Sequence, residues 1–339
     1  SDFSNPIGEW WINKNFAQNN TSKSENLTFS PKDERKETAL DRADKSWQSR
    51  LDSNRAEVLL SIRDAMTSLA QLTRHTRSLV WNADDGLLLW DVSRKTPEGV
   101  TAGLCASSNG MQVLEQYGRT LSDLDRPILM LRPESTKNYL SAEDFEKVIT
   151  NYAEKGMIFD RIFFRDPFNC QDSADVLAYA LKELPENSVS KDLKIIISQR
   201  IPSKGQRIWE LVQNQLLTES TRASFDTILK KMELAENEFF GDRENPLFAW
   251  DEHTITESFS KKGFEVKSAS KVICEKRRIT ETEINRWFDA EKSSYGSSLA
   301  IAVGTEDLLK IKNLLLSACV NTLFTWNITI DFLTVDLAK

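Results

Sequence analysis

The rhythm of apolar residues changes three times along this chain, and each change marks an element. Up to about Asp44 apolar residues are sparse among Asn, Ser, Lys and Glu, apart from the aromatic island Trp10-Trp11 and Phe16. Such a stretch cannot bury enough apolar surface to fold by itself, so 1–44 reads as a polar linker whose aromatic island is suited to docking on a neighbouring surface. From Lys45 to about Thr73 the residues Trp47, Leu51, Val58, Ile62, Met66 and Leu69 recur at spacings of three, four and seven. That period is one face of a helix, and 45–77 is read as an N-terminal helix bracing the domain behind it.

From Ser78 the pattern turns to short continuous apolar runs separated by helical stretches: Ser78–Asn82, Val100–Ala106, Pro127–Leu131, Phe159–Phe164 and Leu193–Ser198. Runs without polar alternation suit strands covered by helices on both faces. The helix before the fourth run has a start signal at Ser141, with Asp144 three residues on, and a stop at Gly156. Five strand–helix units in succession predict a parallel, doubly wound sheet. Beyond Pro202 two helices, roughly Gly205–Leu217 and Ser220–Phe240, make a small helical insertion over about 203–250. The second presents Phe225, Ile228, Leu229, Met232, Ala235 and Phe239 on one face. A further helix, about Thr254–Lys262, leads through Gly263 into a strand from Phe264. Near the end Phe324, Trp326, Ile328, Ile330 and Phe332 alternate with Thr325, Asn327, Thr329 and Asp331. Strict alternation predicts one buried and one polar face, antiparallel pairing and a place near a sheet edge.

Composition narrows the chemistry. The 339 residues carry 44 Lys+Arg against 51 Asp+Glu, a net charge of -7, so there is no general basic coat for nucleic acid. Glycine is scarce at 12 residues, and neither GxxxxGK[ST] nor GxGxxG occurs. Cys105, Cys170, Cys274 and Cys319 lie far apart without a CxxC, which suits reduced, buried thiols in a cytoplasmic protein. With only His75 and His253, a histidine metal site or a Ser-His-Asp triad has little material, and no metal is expected. No signal peptide or long apolar run points to a membrane. The chain begins at Ser1 without a methionine, which points to a segment of a longer protein.

The string Leu79-Val80-Trp81-Asn82-Ala83-Asp84-Asp85-Gly86-Leu87-Leu88-Leu89-Trp90, followed by Arg94 and Thr96-Pro97-Glu98-Gly99, resembles the first motif of a methyltransferase-like domain. That domain is fused behind a replication-associated recombination AAA+ ATPase of the RarA (MgsA) type, chiefly in cyanobacteria. Further similarities are Phe159-Asp160-Arg161-Ile162, Gln206-Arg207-Ile208-Trp209-Glu210-Leu211, Ala235-Glu236, Pro246 with Trp250, Arg286-Trp287-Phe288, Ser294-Tyr295 and Trp326. The resemblance implies a class I methyltransferase-like, Rossmann-like α/β domain over 78–339, with a seven-stranded, mostly parallel sheet flanked by helices. It implies that 1–44 tethers the chain to an upstream ATPase domain, which would hold all the ATPase chemistry.

In active members of that fold the first strand ends in an acid, alternating glycines admit S-adenosylmethionine, and an acid after the second strand holds the ribose. Here Val80 stands at the acid, Asn82 and Asp84 at the first two glycines, and only Gly86 matches. The second strand ends Cys105-Ala106-Ser107-Ser108 without an acid. The candidate cofactor residues Asn82, Asp84, Gly86 and Ser107 are therefore degenerate, and no cofactor is expected unless the chain is active, when it would be S-adenosylmethionine. After the fourth strand, Arg165-Asp166-Pro167-Phe168-Asn169 is similar to the acceptor motif of amino-group methyltransferases, with Asp166 taking the amine proton bonds and Phe168 stacking the target ring. The plainer account is a turn, since Asp and Pro both favour one.

Arg165, Arg200, Lys204 and Arg207 follow the fourth and fifth strands and form a candidate phosphate-binding rim for DNA or RNA. The competing account pairs one or two of them with Asp84 and Asp85. Glu275-Lys276-Arg277-Arg278 reads as a solvated connection before a helix capped by Thr280 and Glu283, and Trp250, Trp287 and Trp326 as core anchors. The preferred expectation is a vestigial methyltransferase-fold module serving interaction or DNA positioning; the alternative is an active methyltransferase of nucleic acid or protein.

Overall fold

The computed structural model describes residues 53–133, 141–170 and 172–337. The linker expected over 1–44 and the first residues of the bracing helix fall outside that range. The described elements are α1 (Ser53–Ala70), β1 (Arg77–Trp81), α2 (Leu87–Lys95), β2 (Val100–Cys105), α3 (Ser108–Gly118), β3 (Ile128–Leu131), α4 (Ala142–Glu154) and β4 (Phe159–Arg165). They continue with α5 (Ser173–Glu183), β5 (Val189–Arg200), α6 (Ile208–Gln215), α7 (Glu219–Gly241), α8 (Glu252–Ser260) and β6 (Phe264–Arg277). Last come α9 (Glu281–Trp287), α10 (Ser294–Val303), α11 (Thr305–Cys319) and β7 (Phe324–Leu337).

The seven strands form one mixed, mostly parallel sheet in the order β3-β2-β1-β4-β5-β7-β6. β1 lies between β2 and β4 and is parallel to both. The winding therefore reverses at β1, and the carboxyl ends of β1 and β4 open where doubly wound sheets bind ligands. This is the doubly wound α/β, Rossmann-like sheet that the apolar runs predict, with the seven strands that the methyltransferase-like resemblance implies. Leu79, Val80 and Trp81 are all buried, and Trp81 packs on Phe145 and Phe164 at ring-centroid distances of 5.5 and 5.4 Å. The Ser141 side chain accepts the Asp144 amide at the start of α4, and Gly156 past its end has φ 78°.

Three expectations change. β6 runs to Arg277, so Glu275, Lys276 and Arg277 are strand residues rather than a connection. The capping box of Thr280 and Glu283 at α9 is present. β7 lies near the edge as expected, second from it, but its alternation breaks down over 331–335, where every residue is buried. Asp331, expected on a polar face, is buried. Of the four free cysteines only Cys105 is buried; Cys274 is exposed.

The described chain divides into two compact units: residues up to Gln199 with Ile255–Ala269 and Phe332 onward, and Arg200–Thr254 with Ser270–Asp331. In the first, α1 buries Val58, Leu59, Ile62, Met66 and Ala70 and packs on α2. α2 is buried along most of its length, including Asp91. Its carboxylate meets Arg94 at 2.6 Å, Lys95 at 2.7 Å and Arg63 of α1 at 3.9 Å. Burial pushes the Asp91 pKa up, but Lys95, Arg94 and Arg63 outweigh it and hold it below the ordinary carboxylate range. The second unit is helical around Leu211, Val212, Met232, Ile284, Leu299, Ile311, Leu315 and Phe324.

In each unit a glutamine side chain clamps the backbone of one residue outside its own element. Gln199 accepts the Phe168 amide at 3.0 Å and donates to the Phe168 carbonyl at 3.1 Å. Gln215 does the same for Thr325, with both bonds at 2.8 Å.

Candidate functional site

The turn after β1 stands at the switch point. Asn82 and Gly86 adopt left-handed backbone, with φ 59° and 69°, and Gly86 caps α2. Between them Asp84 turns inward. Its Oδ2 accepts the Ala106 amide at 2.7 Å; its Oδ1 accepts the Ser107 amide at 2.9 Å and the Ser107 hydroxyl at 2.8 Å. These donors stand where β2 hands over to α3, whose N-cap is Ser107. A Cβ on Gly110 would come within 2.4 Å of Asp84 Oδ1, so this glycine makes room for the carboxylate.

Asp85 uses its other neighbours. Its Oδ1 accepts the Leu87 amide at 3.2 Å, at the start of α2, where a negative charge is favoured. Its Oδ2 pairs with Arg165 at the end of β4. Arg132, just past β3, donates to the Asn82 side chain at 3.3 Å, and burial lowers its guanidinium pKa. The sequence-predicted Asn82, Asp84, Gly86 and Ser107 thus come together, held by protein groups. The Asp84 carboxylate takes up the amides of Ala106 and Ser107 at the end of β2.

At the end of β4, Asp166 has φ 47°, an uncommon conformation for a residue with a side chain, and its amide donates to the Ser198 carbonyl at 2.7 Å. Phe168 is 3 % exposed and packs against Phe259, with ring centroids 6.4 Å apart. Stacking on a target ring needs an open aromatic face, and this ring faces the core.

The basic candidates fall in both units: Arg165 in the first, and Arg200, Lys204 and Arg207 in the second. Lys204 pairs with buried Asp331 and with Glu252, each at 2.9 Å. Burial lowers its pKa, but Glu252 and Asp331 outweigh that and raise it above the usual lysine value. Arg207 donates to the carbonyls of Gly205 and Ser203, both at 2.9 Å, and lies over the Phe240 ring at 3.9 Å. Arg200 is exposed.

The second unit contains a site that periodicity alone misses. Glu236 of α7 is fully buried. Its Oε1 accepts the Ile208 amide at 2.9 Å and the Tyr295 hydroxyl at 2.7 Å, and its Oε2 accepts the Trp209 amide at 2.9 Å. Burial raises its pKa despite those bonds, and Tyr295 is pushed well above the usual tyrosine value by burial and by Glu236. The sequence does hold a clue: Glu236 falls on the apolar stripe of Met232, Ala235 and Phe239, where an acid is out of place. Three scattered pieces of the resemblance, Arg207-Ile208-Trp209, Ala235-Glu236 and Ser294-Tyr295, meet there.

Among the described residues there is no cluster of His, Cys, Asp and Glu able to hold a metal, and no helix long and apolar enough to cross a membrane.

No family model and no curated protein matches this chain. Solved structures do. A cyclopropane-fatty-acyl-phospholipid synthase-like protein from Lactobacillus casei is 12 % identical, with 86 % of this chain and 99 % of that chain covered and a TM-score of 0.44. Precorrin-6y C5,15-methyltransferase from Geobacter metallireducens is 10 % identical over 81 % of this chain and 88 % of that one, with a TM-score of 0.37. Phosphoethanolamine N-methyltransferase 2 from Haemonchus contortus, in complex with phosphomonomethylethanolamine and S-adenosylhomocysteine, is 13 % identical. Its match covers 82 % of this chain and 53 % of that one, with a TM-score of 0.38. At such scores these likenesses say nothing of this chain's own ligand; the strand order defines its fold.

Proposed function

We propose that this chain is a methyltransferase-fold module that has closed its own cofactor end and works through interaction, tethered behind the recombination ATPase of the fusion it resembles. The Asp84 carboxylate, held by the Ala106 and Ser107 amides, carries this reading. A bound S-adenosylmethionine would bring its own carboxylate to the turn that Asp84 occupies, and two like charges about 4 Å apart repel by about 1 kcal/mol in water and by more at a protein surface. Protein interaction is favoured over DNA positioning, because Arg165, Lys204 and Arg207 engage Asp85, Asp331, Glu252, backbone carbonyls and the Phe240 ring.

A second reading, an active S-adenosylmethionine-dependent methyltransferase of nucleic acid or protein, has one observation in its favour. Asp166 holds a left-handed backbone at the switch point, and such strain gathers at functional sites. Calorimetric titration of the native chain with S-adenosylmethionine and with S-adenosylhomocysteine separates the two. The first reading expects no heat and no thermal shift; micromolar binding of either compound would sink it.

A further inference from the structure

The two edges of the sheet are finished differently. The Arg132 amide donates to the Cys105 carbonyl of β2, so the alternate positions of β3 and its flanks that face outward are Pro127, Leu129, Leu131 and Pro133. A proline offers no amide, and this short edge is closed at both ends to a further strand. β6, at the other end, has a neighbour on one side only among the described residues, and no proline interrupts it. Ser270 bonds Asp331, Cys274 donates to the Asn327 side chain at 3.1 Å and Lys276 to the Thr325 hydroxyl at 2.6 Å, so β6 and β7 run antiparallel. Thr325 turns its backbone to Gln215, and the Asn327 amide donates to Gln206 at 2.9 Å, both away from β6. In an antiparallel ladder a residue that faces away stands opposite one that also faces away. Ser270, Val272, Cys274 and Lys276 therefore present amide and carbonyl to the free edge. All four are exposed, Val272 to 57 %.

We propose that this stretch of β6 takes an acidic, extended segment of a partner protein as an added strand. Charge selects the occupant. Residues 261–278 carry seven Lys and Arg against two Asp and Glu, in a chain whose net charge is -7. A second copy of β6 would set cation against cation, whereas an acidic strand gains opposite charges across the ladder. Open backbone donors and acceptors on alternate residues suit a peptide, and 270–278 has no aromatic ring on which a base could stack. This edge gives the interaction module a surface; closure of the cofactor end is read separately by S-adenosylmethionine titration and does not depend on it.

Amide hydrogen exchange on the native chain with an acetylated heptapeptide of alternating Glu and Val tests this. At about ten times the peptide's dissociation constant, the Ser270, Val272, Cys274 and Lys276 amides exchange about tenfold more slowly. The matching peptide of Lys and Val gives no protection. Val272→Pro removes one outward donor and no charge; that amide bonds nothing within the sheet, so the fold is kept and affinity for the Glu–Val peptide falls about tenfold or more. Lys276→Glu/Arg278→Glu leaves every backbone group in place and lowers the affinity by a similar factor. No saturable protection by the Glu–Val peptide at up to about 5 mM overturns the proposal and leaves the lysines as guards of the edge. Equal binding of the two peptides, or binding of a DNA duplex at this strand that Val272→Pro does not weaken, overturns it as well.

Discussion

Asp84 and Glu236 hold their neighbours in the same way. Each carboxylate takes two consecutive backbone amides at the start of a helix and one hydroxyl: Ala106, Ser107 and the Ser107 side chain for one, Ile208, Trp209 and Tyr295 for the other. Helix starts offer unpaired amides, and an acid from elsewhere in the chain satisfies them. The difference is location. Glu236 lies inside a helical core, where satisfying α6 is a packing matter. Asp84 lies at the carboxyl ends of the strands, the end at which doubly wound sheets bind ligands. Amides that recognise an anion thus identify a ligand site only when they face a crevice and the chain leaves them open.

Removing Glu236 is the harshest test of this pairing. Glu236→Ala leaves two amides and a hydroxyl without an acceptor in a dry core, and is expected to cost about 4 kcal/mol in urea unfolding. A loss below about 1 kcal/mol would mean that water takes over the role and that the two sites are not alike. Asp84→Ala orphans the same set of donors next to the crevice, where solvent relieves part of the penalty; the expected loss is about 2 to 3 kcal/mol. If this variant gains S-adenosylmethionine binding while the native chain has none, Asp84 is confirmed as the group that closes the end of the sheet. Arg165→Ala leaves Asp85 largely buried without its cation and is expected to cost about 2 kcal/mol, less than a fully dry pair because Arg165 is partly exposed.

The smallest effect is one of sign. The raised pKa of Glu236 makes its contribution to stability greatest below about pH 4 and lost as pH rises through its folded value. The lowered pKa of Asp91 does the reverse: its contribution is present above about pH 4 and lost as pH falls through its folded value. In urea unfolding at several pH values, native chain minus Glu236→Gln should widen on acidification, and native chain minus Asp91→Asn should narrow. Movement of both gaps in one direction would break the assignment.

The sheet was readable because buried parallel strands are continuous apolar runs, and Ser141, Gly156, Thr280 and Glu283 mark helix ends by local chemistry. What escaped depends on distant partners. Asp331 looks solvent-facing in an alternating strand, yet Lys204, more than a hundred residues away in sequence, neutralises it in the interior. The far end of β6 looks like a charged connection because its lysines and arginines belong to an exposed edge strand. At the turn after β1 the sequence shows that glycines are missing; only the three-dimensional arrangement shows that Asp84 has taken the Ala106 and Ser107 amides. Glu236 was visible as a misplaced acid, but the two amides that justify it come from a helix elsewhere in the chain.

The glutamine clamps make two segments depend on the identity of one side-chain atom each. A side-chain amide that both donates and accepts imitates one peptide unit, and an ionised carboxylate, which only accepts, does not. Hydrolysis of Gln199 to glutamate would keep the bond from the Phe168 amide, but the bond to the Phe168 carbonyl would then survive only while the buried acid stays protonated. Ageing of one buried amide would therefore loosen the segment after β4, whereas the same event at exposed Gln215 would be softened by water.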